Sequence, residues 1–226
     1  MQTELWIDAD DTLWENNVFF EQAFRDFAEY LRHSKLTQVE VRACLDAIED
    51  VNNRIHGFGS ANFARNLEQC FEQLCEGEVT SEHRRWIQHL GEELARHPMQ
   101  LIRGVEETLD YLGSRHTLLL CTKGNTAEQQ AKIDRSGLAR HFHHVHIVRQ
   151  KDARCYLGLL AERKADAGRC WMVGNSPKSD IRPPLEAGMG AVYIPHPHTW
   201  HLEHEELSEH ARLLVLERFS DLRNHF

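Results

Sequence analysis

Nothing in this 226-residue chain approaches the run of roughly 18 apolar residues that a membrane-spanning helix needs, so no membrane role is expected. A basic excess is missing as well. Lys and Arg number 26 against 35 Asp and Glu, a formal charge of −9 that argues against a nucleic-acid partner. The six cysteines, at 44, 70, 75, 121, 155 and 170, form no CxxC pair, and Cys121 and Cys170 sit inside apolar runs. Reduced core thiols are expected from that pattern rather than disulfides or a zinc site. The first residues lack a basic segment followed by an apolar stretch, so no secretion signal is read and the cytoplasm is the expected location. There is no internal repeat and no low-complexity tract, although the tail is rich in His and Glu.

What is there begins at residues 5–14, LWIDADDTLW. Leu5-Trp6-Ile7 reads as a buried strand, and it runs straight into Asp8, Asp10 and Asp11. Buried strands do not normally end in clustered like charges. Further short apolar runs follow at 117–121, 145–148, 170–173, 191–194 and 213–216, with helical patterns at 105–112, 126–136 and 153–165. The second of those helices is expected to open with a capping box, Thr126 with Gln129, and to stop at Gly137. Strands alternating with helices imply an α/β fold with a doubly wound, mostly parallel sheet, Rossmann-like, formed by residues 1–15 and 99–226.

Residues 16–98 break the alternation. Phe20, Ala23, Phe24, Phe27, Ala28 and Leu31 recur at helical spacing, as do Val41, Cys44, Leu45 and Ile48, and Phe63, Leu67, Cys70, Phe71 and Leu74. With a fourth helix from Thr80 toward Pro98, this stretch is an all-helical domain inserted after the first strand. Residues 52–60 are read as the turn between two of its helices and as a candidate substrate-contacting loop.

Four polar features each follow an apolar run: Asp8-x-Asp10-x-Thr12-Leu13, Thr122, Lys151, and Gly174-Asn175 with Asp180 five residues on. Ligands of such sheets sit at the carboxyl ends of the strands. Carboxylates crowded there suit a hard divalent cation, which takes oxygen ligands.

In this order the motifs resemble the haloacid dehalogenase superfamily, specifically its phosphatases with a helical cap inserted after the first strand. LIRGVEETLDYL at 101–112 and AGMGAVYIP at 187–195 are similar to that family's second- and fifth-strand segments, so the likeness covers nearly the whole chain. It implies a phosphatase acting on a small phosphorylated metabolite, with Asp8 as nucleophile and Asp10 as general acid and base. Thr122 and Lys151 would hold the phosphoryl group, with Lys123 a further substrate-binding candidate and Lys178 a substitute. Mg²⁺ would be bound by Asp8, Asp10 through its carbonyl, Asn175 and Asp180. On these grounds Asp8 is expected to be ionised near the ordinary aspartate value, and Asp10 to be raised by the neighbouring carboxylate. Asn175 departs from the family, which usually has Asp at that position. It keeps open a non-catalytic phospho-ligand binder, and a phosphomutase is the other alternative. A monomer or homodimer is expected.

The run His141–His146 invites a zinc reading, but no Cys or acidic residue is spaced to complete a site. The same holds for His196, His198, His201 and His204, of which the first two are placed to border the pocket.

Overall fold

The computed structural model describes residues 3–226, and these form two compact units. One comprises the chain up to Asn17 together with Met99–Phe226, and the other is Val18–Pro98.

The first unit is built on six strands: β1 (Glu4–Ile7), β2 (Thr117–Lys123), β3 (His144–Val148), β4 (Cys170–Gly174), β5 (Gly190–Tyr193) and β6 (Leu213–Val215). All pairings are parallel, in the order β3-β2-β1-β4-β5-β6. Alternate side chains enter different cores, as the two-residue period of a strand requires. Leu5, Ile7, Leu118, Leu120 and Val173 pack on one face. Trp6, Leu119, Cys121 and Met172 pack on the other. Each of these buried side chains contributes about 1.5–3 kcal/mol. β1 sits centrally, with Ile7 level with Leu120 on one side and Val173 on the other. The chain leaves β1 toward β2 and β3, then returns to β4, β5 and β6. The carboxyl ends of β1 and β4 therefore flank the point where the strand order reverses.

The second unit holds four helices, α1 (Asn17–Leu31), α2 (Gln38–His56), α3 (Ser60–Leu74) and α4 (Ser81–Ala95). Their apolar stripes meet in a core that includes Phe24, Phe27, Leu45, Phe63, Leu67 and Phe71. Thr37 and Thr80 cap α2 and α4. Gly91 on α4 lies against α3 so closely that a Cβ there would sit 2.6 Å from the Ala64 methyl. Two helices approach this closely only through a residue without a side chain.

Back in the first unit, α5 (Val105–Gly113), α6 (Thr126–Ser136), α7 (Ala153–Arg163) and the short α8 (Arg182–Glu186) complete the regular elements. No helix of the described residues is long and apolar enough to cross a membrane.

Two local expectations are corrected. Asn125, not Thr126, caps α6, its side chain accepting from the Glu128 amide at 3.1 Å, and Gln129 is thereby released from capping. The expected turn at 52–60 is mostly helix. α2 continues through His56, so the break is confined to residues 57–59, with Gly57 and Gly59 at positive φ. Asn53 is buried on α2 and accepts a hydrogen bond from Asn62 at 2.8 Å, while exposed Arg54 pairs with Asp50.

Candidate active site

Asp8 is the first residue past β1, and its amide still donates to the Val173 carbonyl at 2.9 Å, so the sheet fixes its position. The chain then turns sharply. Asp11 adopts a positive φ of 59°, and Leu13 bonds back to Ala9. Thr12 is brought round so that its hydroxyl lies 3.2 Å from Oδ2 of Asp8 and 3.4 Å from Oδ1 of Asn175.

Lys151, in the link between β3 and α7, is buried, and its ammonium donates to Oδ1 of Asp8 and, at 2.7 Å, to Oδ1 of Asp180. Asp152, next in sequence, caps α7 by accepting from the Cys155 amide at 2.8 Å, which sets where Lys151 leaves the chain. Asp180 lies in a π-helical turn, Pro177–Ile181, that follows β4. Its Oδ2 accepts from the Ser176 amide at 3.1 Å. A Cβ on Gly174 would lie 2.3 Å from that same oxygen, so the glycine is what admits the carboxylate.

Asp10 points to different partners. It accepts from the Trp14 indole at 2.7 Å, from Lys132 at 3.1 Å to each oxygen, and from Gln129 at 3.0 Å. Gln129 also donates to the Thr122 hydroxyl at 2.6 Å. Lys123, beside Thr122, directs its ammonium to Glu203 at 2.6 Å and to the Ser179 hydroxyl at 3.0 Å. Lys178 is exposed and reaches the Leu202 carbonyl at 3.3 Å. Of the lysines weighed from sequence, Lys151 is the one whose ammonium meets Asp8.

The electrostatics reverse the sequence expectation for both aspartates. Burial, and then the neighbouring Asp180, push Asp8 up to about 7 against the pull of Lys151, because two buried carboxylates share one ammonium. Burial acts on Asp10 in the same direction, but Lys132 and the hydrogen bonds from Trp14 and Gln129 outweigh it and hold Asp10 below the usual range. Lys132 comes from α6, far away in sequence, so the DxD spacing carried no sign of it. Burial raises Asp11 to about 8, although its carboxylate accepts the amides of Asn16 and Asn17.

The donor set suits a hard cation. Asp8 and Asp180 supply carboxylate oxygens and Asn175 an amide oxygen. A positive charge would relieve the repulsion that lifts Asp8. The Asp10 carboxylate is taken by Lys132, Gln129 and Trp14.

Thr199 and Glu203 support the site, and sequence reasoning missed both. Asn175 donates to the Thr199 hydroxyl at 2.8 Å. Buried Glu203 accepts from the hydroxyls of Ser176 and Ser179 and from Lys123. Burial works to raise Glu203, yet Lys123 and the two hydroxyls bring it below its ordinary value. His196 also gains acidic partners that its sequence neighbours do not reveal. Its Nε2 lies 3.2 Å from Glu15 and its Nδ1 3.8 Å from Asp11. These three are the residues with metal-ligand spacing among the described His, Cys, Asp and Glu side chains. In the run at 141–146, His141 meets Asp110, His143 accepts from the Leu118 amide, and His146 stacks on Trp6.

The parallel α/β core brings these carboxylates and a lysine together where the strand order reverses. The haloacid dehalogenase-like hydrolase model matches residues 6–188, and the chain belongs to that family. No curated protein matches. Among solved structures, a haloacid dehalogenase-like family hydrolase from Xanthomonas campestris is 26% identical, with 99% of this chain and 94% of that one covered and a TM-score of 0.84. A 2-haloacid dehalogenase from Pseudomonas syringae is 24% identical, covering 99% and 97%, with a TM-score of 0.65. A protein from Haemophilus somnus described as a predicted phosphoglycolate phosphatase is 14% identical, covering 99% and 97%, with a TM-score of 0.67.

Proposed function

We propose that the protein is a Mg²⁺-dependent phosphatase that hydrolyses a small phosphate monoester through an aspartyl-phosphate on Asp8. Fold likeness does not choose between phosphatase and dehalogenase, since similar structures of both kinds exist. The observation that carries the reading is the second carboxylate, Asp10, held by Gln129 next to Thr122. An ester oxygen leaving phosphorus needs a proton, and a halide leaving carbon does not.

In the first half-reaction a carboxylate oxygen of Asp8 attacks phosphorus. The ester P–O bond breaks, and the departing oxygen takes a proton from Asp10. In the second, a water gives a proton to Asp10 and attacks phosphorus, and the bond to Asp8 breaks, returning Asp8 as a carboxylate and Asp10 as the protonated acid. The low resting value of Asp10 favours the base needed in the second half. The dianionic substrate, arriving beside it, raises it toward the acid needed in the first. Thr122 and Lys151 donate to phosphoryl oxygens. Mg²⁺, held by Asp8, the Asp10 carbonyl, Asn175 and Asp180, would supply the positive charge that lets a phosphate dianion approach these carboxylates. The helical unit, inserted between β1 and α5, is assigned the role of a cap that selects leaving groups.

A second reading, a non-catalytic phospho-ligand binder, is favoured by Asn175, whose neutral amide is engaged by Thr199. Turnover of p-nitrophenyl phosphate with and without Mg²⁺ separates the two. Mg²⁺-dependent release of nitrophenol supports the phosphatase, and binding without turnover supports the alternative.

A further inference from the structure

Gln129 and Lys132 stand three residues apart on α6 and therefore project from one face of it. Both are nearly sealed from solvent, 3% and 2% exposed. Burying an amide and an ammonium is costly unless each is fully engaged, and both are engaged with the site. Lys132 reaches both oxygens of Asp10 and, at 2.7 Å, Oδ1 of Asn16. The Gln129 amide nitrogen reaches Asp10, the Thr122 hydroxyl and, at 3.2 Å, the Lys123 carbonyl. A hydroxyl that accepts from an amide keeps its own proton for another partner. Gln129 thus turns the Thr122 proton away from itself while holding the carboxyl group of Asp10.

We infer that Gln129 and Lys132 are a positioning pair: Lys132 fixes the Asp10 carboxyl group for proton exchange with the leaving oxygen, and Gln129 ties that group to the Thr122 hydroxyl, which donates to a phosphoryl oxygen. This rests on the phosphatase reading. The pair acts through Asp10 and Thr122, so its removal has a signature that general loosening of the fold lacks. Loss of a positioned acid is felt most by esters whose leaving oxygen is basic, because a weakly basic nitrophenolate departs without a proton.

The test uses the full chain at saturating Mg²⁺ with p-nitrophenyl, phenyl and 4-methylphenyl phosphate, comparing wild type with Lys132→Met and Gln129→Leu. For Lys132→Met the expected fall in kcat/KM, which covers the steps up to departure of the leaving oxygen, is about 10²-fold on the phenyl and 4-methylphenyl esters, the low end of what general acid catalysis contributes, and about tenfold less than that on the nitrophenyl ester. Gln129→Leu shows the same dependence on leaving group. It also weakens inhibition by inorganic phosphate about tenfold, the scale of one hydrogen bond to a charged group. If Lys132→Met does not fold, Gln129→Leu decides by itself. Equal losses in kcat/KM on all three esters overturn the inference and leave the phosphatase intact. A wild type that hydrolyses none of the three overturns the phosphatase reading and the inference with it.

Discussion

The side-chain amide of Asn175 donates to the hydroxyl of Thr199 at 2.8 Å, while the carbonyl of Asn175 lies 3.3 Å from that same hydroxyl. The residue at the tip of β4 is thereby fastened to a segment beyond β5, and its Oδ1 is left facing Thr12. Asn175→Asp loses one donor, but the Thr199 hydroxyl can turn and donate to the new carboxylate. The gain is a negative charge in the proposed cation shell. Mg²⁺ affinity is expected to rise by about 1–3 kcal/mol, roughly five- to a hundredfold. The measurement is the Mg²⁺ concentration giving half-maximal activity at low substrate. An unchanged or higher value in the variant removes Asn175 from the metal site.

Asp8→Asn is expected to abolish turnover, because an amide does not attack phosphorus. It has a second consequence for stability in metal-free protein. The folded value of Asp8 lies near 7, above its unfolded value near 4, so the folded state binds the extra proton between these limits and stability falls as pH rises through them. Removing the charge also leaves Lys151 and Asp180 as a balanced pair. The variant should therefore melt no lower than wild type at pH 8 without metal. Thermal unfolding followed by circular dichroism checks this, and more than a few per cent residual activity would sink the nucleophile assignment.

Glu203 is the acceptor for Lys123, Ser176 and Ser179. Glu203→Ala removes the charged partner of Lys123 and the acceptor of two hydroxyls at once, with an expected loss of about 3–5 kcal/mol. Because Ser176 also donates its amide to Asp180, Mg²⁺ affinity should weaken in the same variant. Chemical denaturation and a Mg²⁺ titration measure the two effects. A change below about 1 kcal/mol would mean that water replaces the carboxylate without penalty.

In the helical unit, Glu49 is buried, and its Oε2 has no hydrogen-bond partner among the described residues. Burial, opposed by Arg42, pushes its carboxyl up to about 8. Ionising it therefore costs stability progressively from about pH 4.5, the unfolded value, to about pH 8. Glu49→Gln should be close to neutral at pH 5 and stabilising at pH 9. Melting temperatures of both proteins at those two values test it, and a difference that does not change with pH refutes the buried-acid account.

Strand and helix existence could be read because period-2 and period-3.6 patterns are local, as in Leu5-Trp6-Ile7 or Phe20, Phe24 and Phe27. Asp8 and Lys151 could be paired because each follows an apolar run whose carboxyl end must face one crevice. What escaped was set by distance in space rather than in sequence. Lys132 meets Asp10 across more than a hundred residues, and Glu203 meets Lys123 across eighty. One signal was present: Gln129 and Lys132 are polar residues on the same helical face as buried Ile133. The capping error was local. Asn125 with Glu128 offered the same spacing as Thr126 with Gln129, and the structure uses the earlier pair.

β1 is a central strand only four residues long, and its partners are 117–123 and 170–174. A ribosome delivers them in the wrong order for it. The residues of α1 to α4 emerge with all their mutual contacts within reach, while Leu5, Trp6 and Ile7 wait for more than a hundred further residues before either neighbour exists. Such late, long-range pairing is slow, and an unpaired apolar segment is prone to aggregate meanwhile. The three aspartates that follow the segment give the nascent chain a cluster of negative charge at the point where it is most exposed to self-association.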